Sequence, residues 1–228
     1  GTTTPRGIPN APTLVSVDPQ NQSLVVKWRA ITTSADNNGS AISKYIAKAM
    51  PSGQTCQVDG FTTAGNGSTV ANTTCTITGL TNGAIQSVTV TAVNEAGTSS
   101  ASNAISTTPR SAPGAPVGVK LTPLNGGVSI SWNAPIDSGG TPITRYTGSA
   151  TPTGTAGSVS TCIQNSGDSR SCLITGLSNG TSYTVTVVAT NGVGDSSPSA
   201  SQVVIPANVP TAPTAVVPTV SNGSISIK

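Results

Sequence analysis

The chain has 228 residues, of which 7% are charged and 35% hydrophobic, with a net charge of +3 and no histidine. That length suits two domains of about 100 residues each. The missing histidine excludes Ser-His-Asp and Cys-His nucleophile systems and the commonest transition-metal ligand, and ten singly scattered basic residues lack the clusters that neutralise successive phosphates. No cofactor and no nucleic-acid partner is therefore expected, and Ser, Thr, Asn and Gln must carry solubility.

No apolar run reaches the roughly 18 residues that would span a bilayer, so no direct membrane insertion is expected from this segment. Gly1 in place of an initiator Met points to a processed or trimmed start. In chain order, Pro9-Asn10-Ala11-Pro12 opens the first run of alternating residues. The same device recurs as Pro113-Gly114-Ala115-Pro116 and Pro210-Thr211-Ala212-Pro213, and divides the chain into residues 1–109, 110–207 and the opening strands of a third, incomplete repeat at 208–228.

After the first proline pair, Leu24, Val26 and Trp28 alternate with Ser23, Val25 and Lys27, and Val128, Ile130 and Trp132 repeat the pattern. A period of two buries one face of a strand. A Gly-containing turn and a tyrosine strand follow, Gly39 to Tyr45 and Gly139 to Tyr146. Cys75-Thr76-Ile77-Thr78-Gly79-Leu80-Thr81-Asn82-Gly83 is then echoed, nine positions in register, by Cys172-Leu173-Ile174-Thr175-Gly176-Leu177-Ser178-Asn179-Gly180. A long strand closes each repeat, Val88, Val90 and Ala92 answering Val185, Val187 and Ala189, before turns at Asn94 to Gly97 and Asn191 to Gly194. The repeats are offset by 97 residues here but by 104 at the tryptophans, so the first holds extra residues between Trp28 and Cys75, which loops absorb at little cost.

Seven or so short strands per repeat without helical periodicity predict an all-β fold of tandem antiparallel sandwiches in an elongated array. Trp28, Tyr45, Leu80, Trp132, Tyr146, Leu177 and Tyr183, the paired prolines and the Asn-x-x-Gly turns resemble the fibronectin type III family over nearly the whole chain. The Gly-Leu-Thr/Ser-Asn-Gly variant with its cysteine looks more like modules of secreted bacterial proteins than animal ones. The resemblance implies a tyrosine at the start of strand F whose hydroxyl bonds to the preceding corner. Tyr183 fits, whereas the first module has Gln86.

Four cysteines allow three connectivities, and matching pairs in two modules favour Cys56 with Cys75 and Cys162 with Cys172. The family fold would place each pair near facing sheet edges. Zinc needs four ligands together and redox pairs usually read Cys-x-x-Cys, so structural disulfides and an oxidising, extracellular location are expected. Asn21, Asn38, Asn66, Asn72, Asn179 and Asn222 begin Asn-x-Ser/Thr sequons, for which exposure is expected and glycosylation is conceivable.

The acids Asp18, Asp36, Asp59, Glu95, Asp137, Asp168 and Asp195 fall mainly in turns and form neither an Asp-x-Asp-x-Asp calcium loop nor a recognisable catalytic pair. Arg6-Gly7-Ile8 is the nearest approach to an Arg-Gly-Asp adhesion motif. Five of six aromatics have core or corner positions, which leaves Phe61 as the one candidate contact residue. The expected function is a non-catalytic spacer of a surface, secreted or fibre-forming protein, whose partners are its neighbouring modules. The alternatives are an adhesive module binding carbohydrate, a surface polymer or protein, and self-association by strand exchange through residues 213–228, where Ser224 to Lys228 aligns with the residues before each tryptophan.

The missing corner tyrosine predicts that the first module is the less stable. Residues 1–110 produced alone should melt below residues 110–207 in a thermal scan, and equal or higher melting would refute the assignment.

Overall fold

The computed structural model describes residues 6–63, 69–154, 157–208, 210 and 217–227. The first module runs through β1 (Thr13–Gln20), β2 (Ser23–Arg29), the short helix α1 (Ser34–Asn37), β3 (Lys44–Met50), β4 (Thr55–Asp59), β5 (Phe61–Thr63), β6 (Thr69–Ala71), β7 (Thr74–Thr78), β8 (Gln86–Asn94), β9 (Gly97–Thr98) and β10 (Ile105–Thr107). Two antiparallel sheets, β1-β2-β7 and β10-β8-β3-β4, form the sandwich, and β9 pairs antiparallel with the end of β8. The second module repeats this with β11 (Val117–Leu124), β12 (Gly127–Asn133), β13 (Ile143–Pro152), β14 (Ser160–Gln164), β15 (Ser171–Thr175), β16 (Tyr183–Asn191) and β17 (Gln202–Val204), in sheets β11-β12-β15 and β14-β13-β16-β17. Beyond it, β18 (Pro218–Ser221) and β19 (Ser224–Ile227) pair only with each other among the described residues. Residues 211–216, which include part of the third proline pair and of the segment that the alternative reading would exchange, lie outside the described residues.

The alternation places the core. β8 and β16 bury every second residue along nine positions, which seats Val88, Val90, Ala92 and Val185, Val187, Ala189 against Leu24, Val26, Ile77 and Val128, Ile130, Ile174. Each fully buried Val, Leu or Ile contributes about 1.5–3 kcal/mol relative to exposure. Trp28 packs on Tyr45 and Trp132 on Tyr146, both pairs with ring centroids 5.3 Å apart in a tilted arrangement that suits the ring quadrupoles.

The extra residues of the first module sit in two places. Some form α1, whose N-cap Thr33 accepts a hydrogen bond from Asp36 N through its hydroxyl, a short helical turn that periodicity did not announce. Others form the β5-β6 ribbon between the two cysteines, where the second module has only a short loop.

The cysteines pair within modules. Cys56 on β4 bonds Cys75 on β7 across 19 residues, and Cys162 on β14 bonds Cys172 on β15 across 10. Each bond ties the outer strand of one sheet to the outer strand of the other along one side of the sandwich. Closing loops of this size contributes about 3 kcal/mol in the chain-entropy model.

Each module also has a tyrosine hydroxyl bond that its neighbour lacks. Tyr183 accepts a corner bond from Ser178 N at 3.0 Å, while Gln86 in its place accepts from Ser52 N at 3.3 Å. Conversely, Tyr45 accepts from Ile31 N at 2.8 Å, but the position matching Ile31 is Pro135, which has no N–H, and the buried Tyr146 hydroxyl has no partner among the described residues. Burial pushes the Tyr45 phenol above its ordinary value, opposed by the Ile31 N–H, so it stays neutral. The corner difference thus works against the first module and the Tyr45 bond in its favour.

Tyr45→Phe should destabilise the first module by about 1 kcal/mol because it orphans a buried N–H, whereas Tyr146→Phe should leave the second unchanged or slightly stabilised. Amide-resolved urea titration reads the modules separately, and equal losses in both would show that the Tyr45 bond contributes nothing.

Candidate functional site

The acids expected in turns are dispersed. Asp18 pairs with Lys27 at 2.8 Å, Arg6 meets Glu95, Arg145 lies 3.6 Å from Asp195, and Asp137 accepts from Gly139 N at 2.7 Å. The Lys27 ammonium holds the Asp18 carboxyl below the usual carboxylate range, and the Thr33 hydroxyl and Asn10 amide do the same for Asp36. Among the described residues no three His, Cys, Asp or Glu side chains converge as a metal site would require.

Phe61 lies on the β5-β6 ribbon opposite Ala71 and is 39% exposed, and Val70, opposite Thr62 on the ribbon's other face, is 61% exposed. Leu80 and Leu177 are buried, as are the tryptophans and tyrosines expected in the core. The sequon asparagines differ from one another. Asn21, Asn179 and Asn222 are exposed, Asn66 lies outside the described residues, and Asn38 and Asn72 are half-buried. The last two depart from the expected exposure because their amides donate to backbone carbonyls, Asn38 to Ile8 at 2.6 Å and Asn72 to Asp59 at 2.8 Å.

The most organised polar site lies between the two sandwiches, and asparagine builds it. Leu80 enters the core and donates its N–H to Gln22 O, which fixes the corner and brings Asn82 against the β1-β2 turn. Asn82 Oδ1 accepts from Gln22 N at 2.8 Å, and its Nδ2 donates to Asn21 Oδ1 at 2.8 Å and to Ser111 Oγ at 3.3 Å. Gly83 N donates to Pro109 O and Arg110 N to Gln20 O. The stretch from Pro109 to Ser111 is thereby held on the first module.

The second module grips the same residues from the other side. Asn191, 5% exposed, donates through Nδ2 to Ser111 O at 2.8 Å and Ser138 O at 2.9 Å, while its Oδ1 accepts from Val193 N and Gly194 N. Ser111 N donates to Gly139 O and Gly114 N to Asp137 O. Ser111 is thus held by Asn82 from one module and Asn191 from the next.

Close backbone approach completes the junction. A Cβ on Gly140 would lie 2.3 Å from Gly83 N and one on Gly139 2.2 Å from Ser111 O, and both residues have positive φ, so glycine is required twice over. Two clefts flank the linker. One of about 420 Å³ is lined by Gln22, Leu80, Asn82, Ile136 and Asp137, and one of about 590 Å³ by Gln20, Asn21, Arg110, Ser111 and Val193.

The same bonds recur wherever the repeat provides the residues. Asn179 Oδ1 accepts from Gly126 N, its Nδ2 donates to Asn125 Oδ1 and Asn208 Oδ1, and Gly180 N donates to Pro206 O. Asn94 donates to Gly7 O and Asn37 O just as Asn191 does to Ser111 O and Ser138 O. In the sequence Asn94 and Asn191 read as turn residues, while Asn82 and Asn179 read as matching positions of a repeated block, Asn179 also as a sequon. Their recurrence in register was the available signal, but the distant partners were not legible.

The sequence model for the fibronectin type III domain matches residues 10–108 and 112–205. Similar solved structures include the chicken CNTN1 FN1–FN3 domains, at 18% identity over 88% of this chain and 68% of that one with a TM-score of 0.40. A two-domain fibronectin type III segment of chicken tenascin matches at 18% identity over 86% and 98%, with a TM-score of 0.43. No curated protein matches. The two sandwiches and the two family matches give one conclusion, that this chain belongs to the fibronectin type III domain family as a tandem pair.

Proposed function

We propose that the chain is a non-catalytic, extracellular structural spacer, in which the two modules are held at a set orientation by a linker hydrogen-bonded to both. Modules of this family are commonly structural or adhesion-related. The observation that carries the reading is the double hold on Ser111, with Asn82 on one side and Asn191 on the other. A flexible tether needs backbone groups free to exchange partners with water. Here Pro109, Arg110, Ser111 and Gly114 are all hydrogen-bonded to one module or the other. Two intramodule disulfides support an oxidising, extracellular setting.

A second reading, adhesion through the first module, is favoured by one observation. The ribbon carrying Phe61 and Val70 is an insertion that the second module folds without. Carbohydrate, a surface polymer or a protein would meet an aromatic ring there.

Residual dipolar couplings should fit both modules of the native chain to a single alignment tensor. Asn82→Ala with Asn191→Ala should split it into two while each module keeps its fold; independent tensors in the unaltered chain would overturn the spacer reading. For the second reading, Phe61→Ala should weaken retention on surface polymer or on other copies of the chain about tenfold, the loss expected when one buried contact worth about 1.4 kcal/mol is removed. Unchanged retention would remove Phe61 from consideration.

A further inference from the structure

The asparagines that hold the linkers on the preceding module, Asn82 and Asn179, are each followed by glycine. Asn-Gly is the dipeptide most open to cyclisation, because glycine places no Cβ beside the attacking nitrogen. In that reaction the Gly83 nitrogen loses its proton and attacks Asn82 Cγ. The C–N bond to the side-chain amide breaks and ammonia leaves. Water then opens the resulting succinimide at one carbonyl or the other, giving aspartate or isoaspartate. Water is the only co-reactant.

The closed junction opposes each part of this sequence. The Gly83 N–H that must be lost donates to Pro109 O at 2.9 Å. The side chain that must swing onto that nitrogen is held by three bonds, from Gln22 N to Oδ1 and from Nδ2 to Asn21 Oδ1 and Ser111 Oγ. Asn179 and Gly180 repeat the arrangement with Gly126 N, Asn125 Oδ1, Asn208 Oδ1 and Pro206 O. The acceptors of the glycine N–H, Pro109 O and Pro206 O, and one side-chain partner in each case, Ser111 Oγ and Asn208 Oδ1, belong to the following linker, so pulling the linker away frees the attacking nitrogen and leaves the asparagine side chain with only its intramodule bonds.

The geometry points to Asn82 and Asn179 as conditional deamidation sites, protected while their junctions are closed and converted when the junctions open, so that the modification records opening and prevents reclosure. It rests on the reading of the linker as a fixed structural contact. Conversion replaces an NH2 that donates to Asn21 Oδ1 and Ser111 Oγ with a carboxylate oxygen, which sets an acceptor against the Asn21 acceptor. Isoaspartate would also lengthen the backbone at the corner that Leu80 anchors.

Protection through local opening makes the observed rate the open-state rate multiplied by the open fraction. The test incubates the full chain at mildly alkaline pH and follows amide loss by peptide mass mapping. Asn222-Gly223, exposed at the tip of the β18-β19 hairpin, is the internal reference. In the native chain Asn82 and Asn179 should lag Asn222 by at least about tenfold, since two or more net hydrogen bonds are lost on opening.

Two variants release Asn82 by different routes, one at its side chain and one at the junction. Asn21→Ala with Ser111→Ala removes both Nδ2 acceptors, and Gly140→Ala drives a methyl against Gly83 N. Each should speed conversion of Asn82 about tenfold while Asn179 is unchanged. Asn82 converting alongside Asn222 in the native chain, or at an unchanged rate in both variants while dipolar couplings report an open junction, would overturn the proposal without touching the spacer reading. Asn82→Asp should give two alignment tensors, and one common tensor would overturn the claim that conversion prevents reclosure.

Discussion

The structure depends on satisfying buried and half-buried backbone groups in a chain with almost no charge. An unpaired amide or carbonyl away from water loses about the worth of a hydrogen bond, and turns and linkers have no ladder to supply partners. Asparagine solves this because its side chain is a peptide group detached from the backbone, with one acceptor oxygen and two donor hydrogens. Asn94 and Asn191 use all of these at once, closing their own turns through Oδ1 and holding two further segments through Nδ2. Serine does similar work inside the sheets. Ser99, Ser102, Ser196 and Ser199 are buried and accept from Ala92, Val90, Ala189 and Val187 N–H respectively, where the last strand of each module is too short to run the full length of its neighbour.

The core was legible because its determinants are local. Alternation along residues 23–29 and 86–94 fixes which side chains point inward, and Trp28 and Tyr45 meet because the strands carrying them face each other across the sandwich. The proline pairs likewise marked where one run of alternating residues ends and the next begins. The junction was not legible for the complementary reason. Asn82 bonds Asn21 and Ser111, far away in both directions along the chain, and a sequence pattern names an asparagine without naming its partners. The orphaned Tyr146 hydroxyl is an intermediate case. Pro135 is visible in the sequence, but its consequence appears only once Ile31 N is seen to donate to Tyr45.

The disulfides bear on how such sandwiches remain separate. Each sheet has two outer strands with unpaired backbone groups, and such edges can recruit other chains. On one side of each module the outer strands β4 and β7, or β14 and β15, are tied to one another by the cystine. On the other side the last strands, β10 and β17, are three residues long and lie beside the eight-residue outer strands β1 and β11, which carry the longer open edge. The ribbon of β5 and β6 departs from this economy, since it extends the cystine side of the first module and carries the one aromatic outside the cores.

That the junction is built from amides and hydroxyls, with ion pairs kept elsewhere, has a physical consequence. Exposed charge pairs weaken as salt screens them, with a Debye length of about 8 Å at physiological ionic strength, and those between long side chains also lose rotamer entropy. Asn82, Asn191 and Ser111 have short side chains, so less freedom is lost on ordering them, and their bonds are indifferent to ionic strength. Among the described residues the ion pairs, Asp18 with Lys27, Arg145 with Asp195 and Arg6 with Glu95, are exposed and bridge no two modules. On the proposed reading, a spacer outside the cell would meet salt concentrations it does not control. Placing neutral hydrogen bonds and a glycine backbone contact at the junction separates the orientation of the modules from that variable.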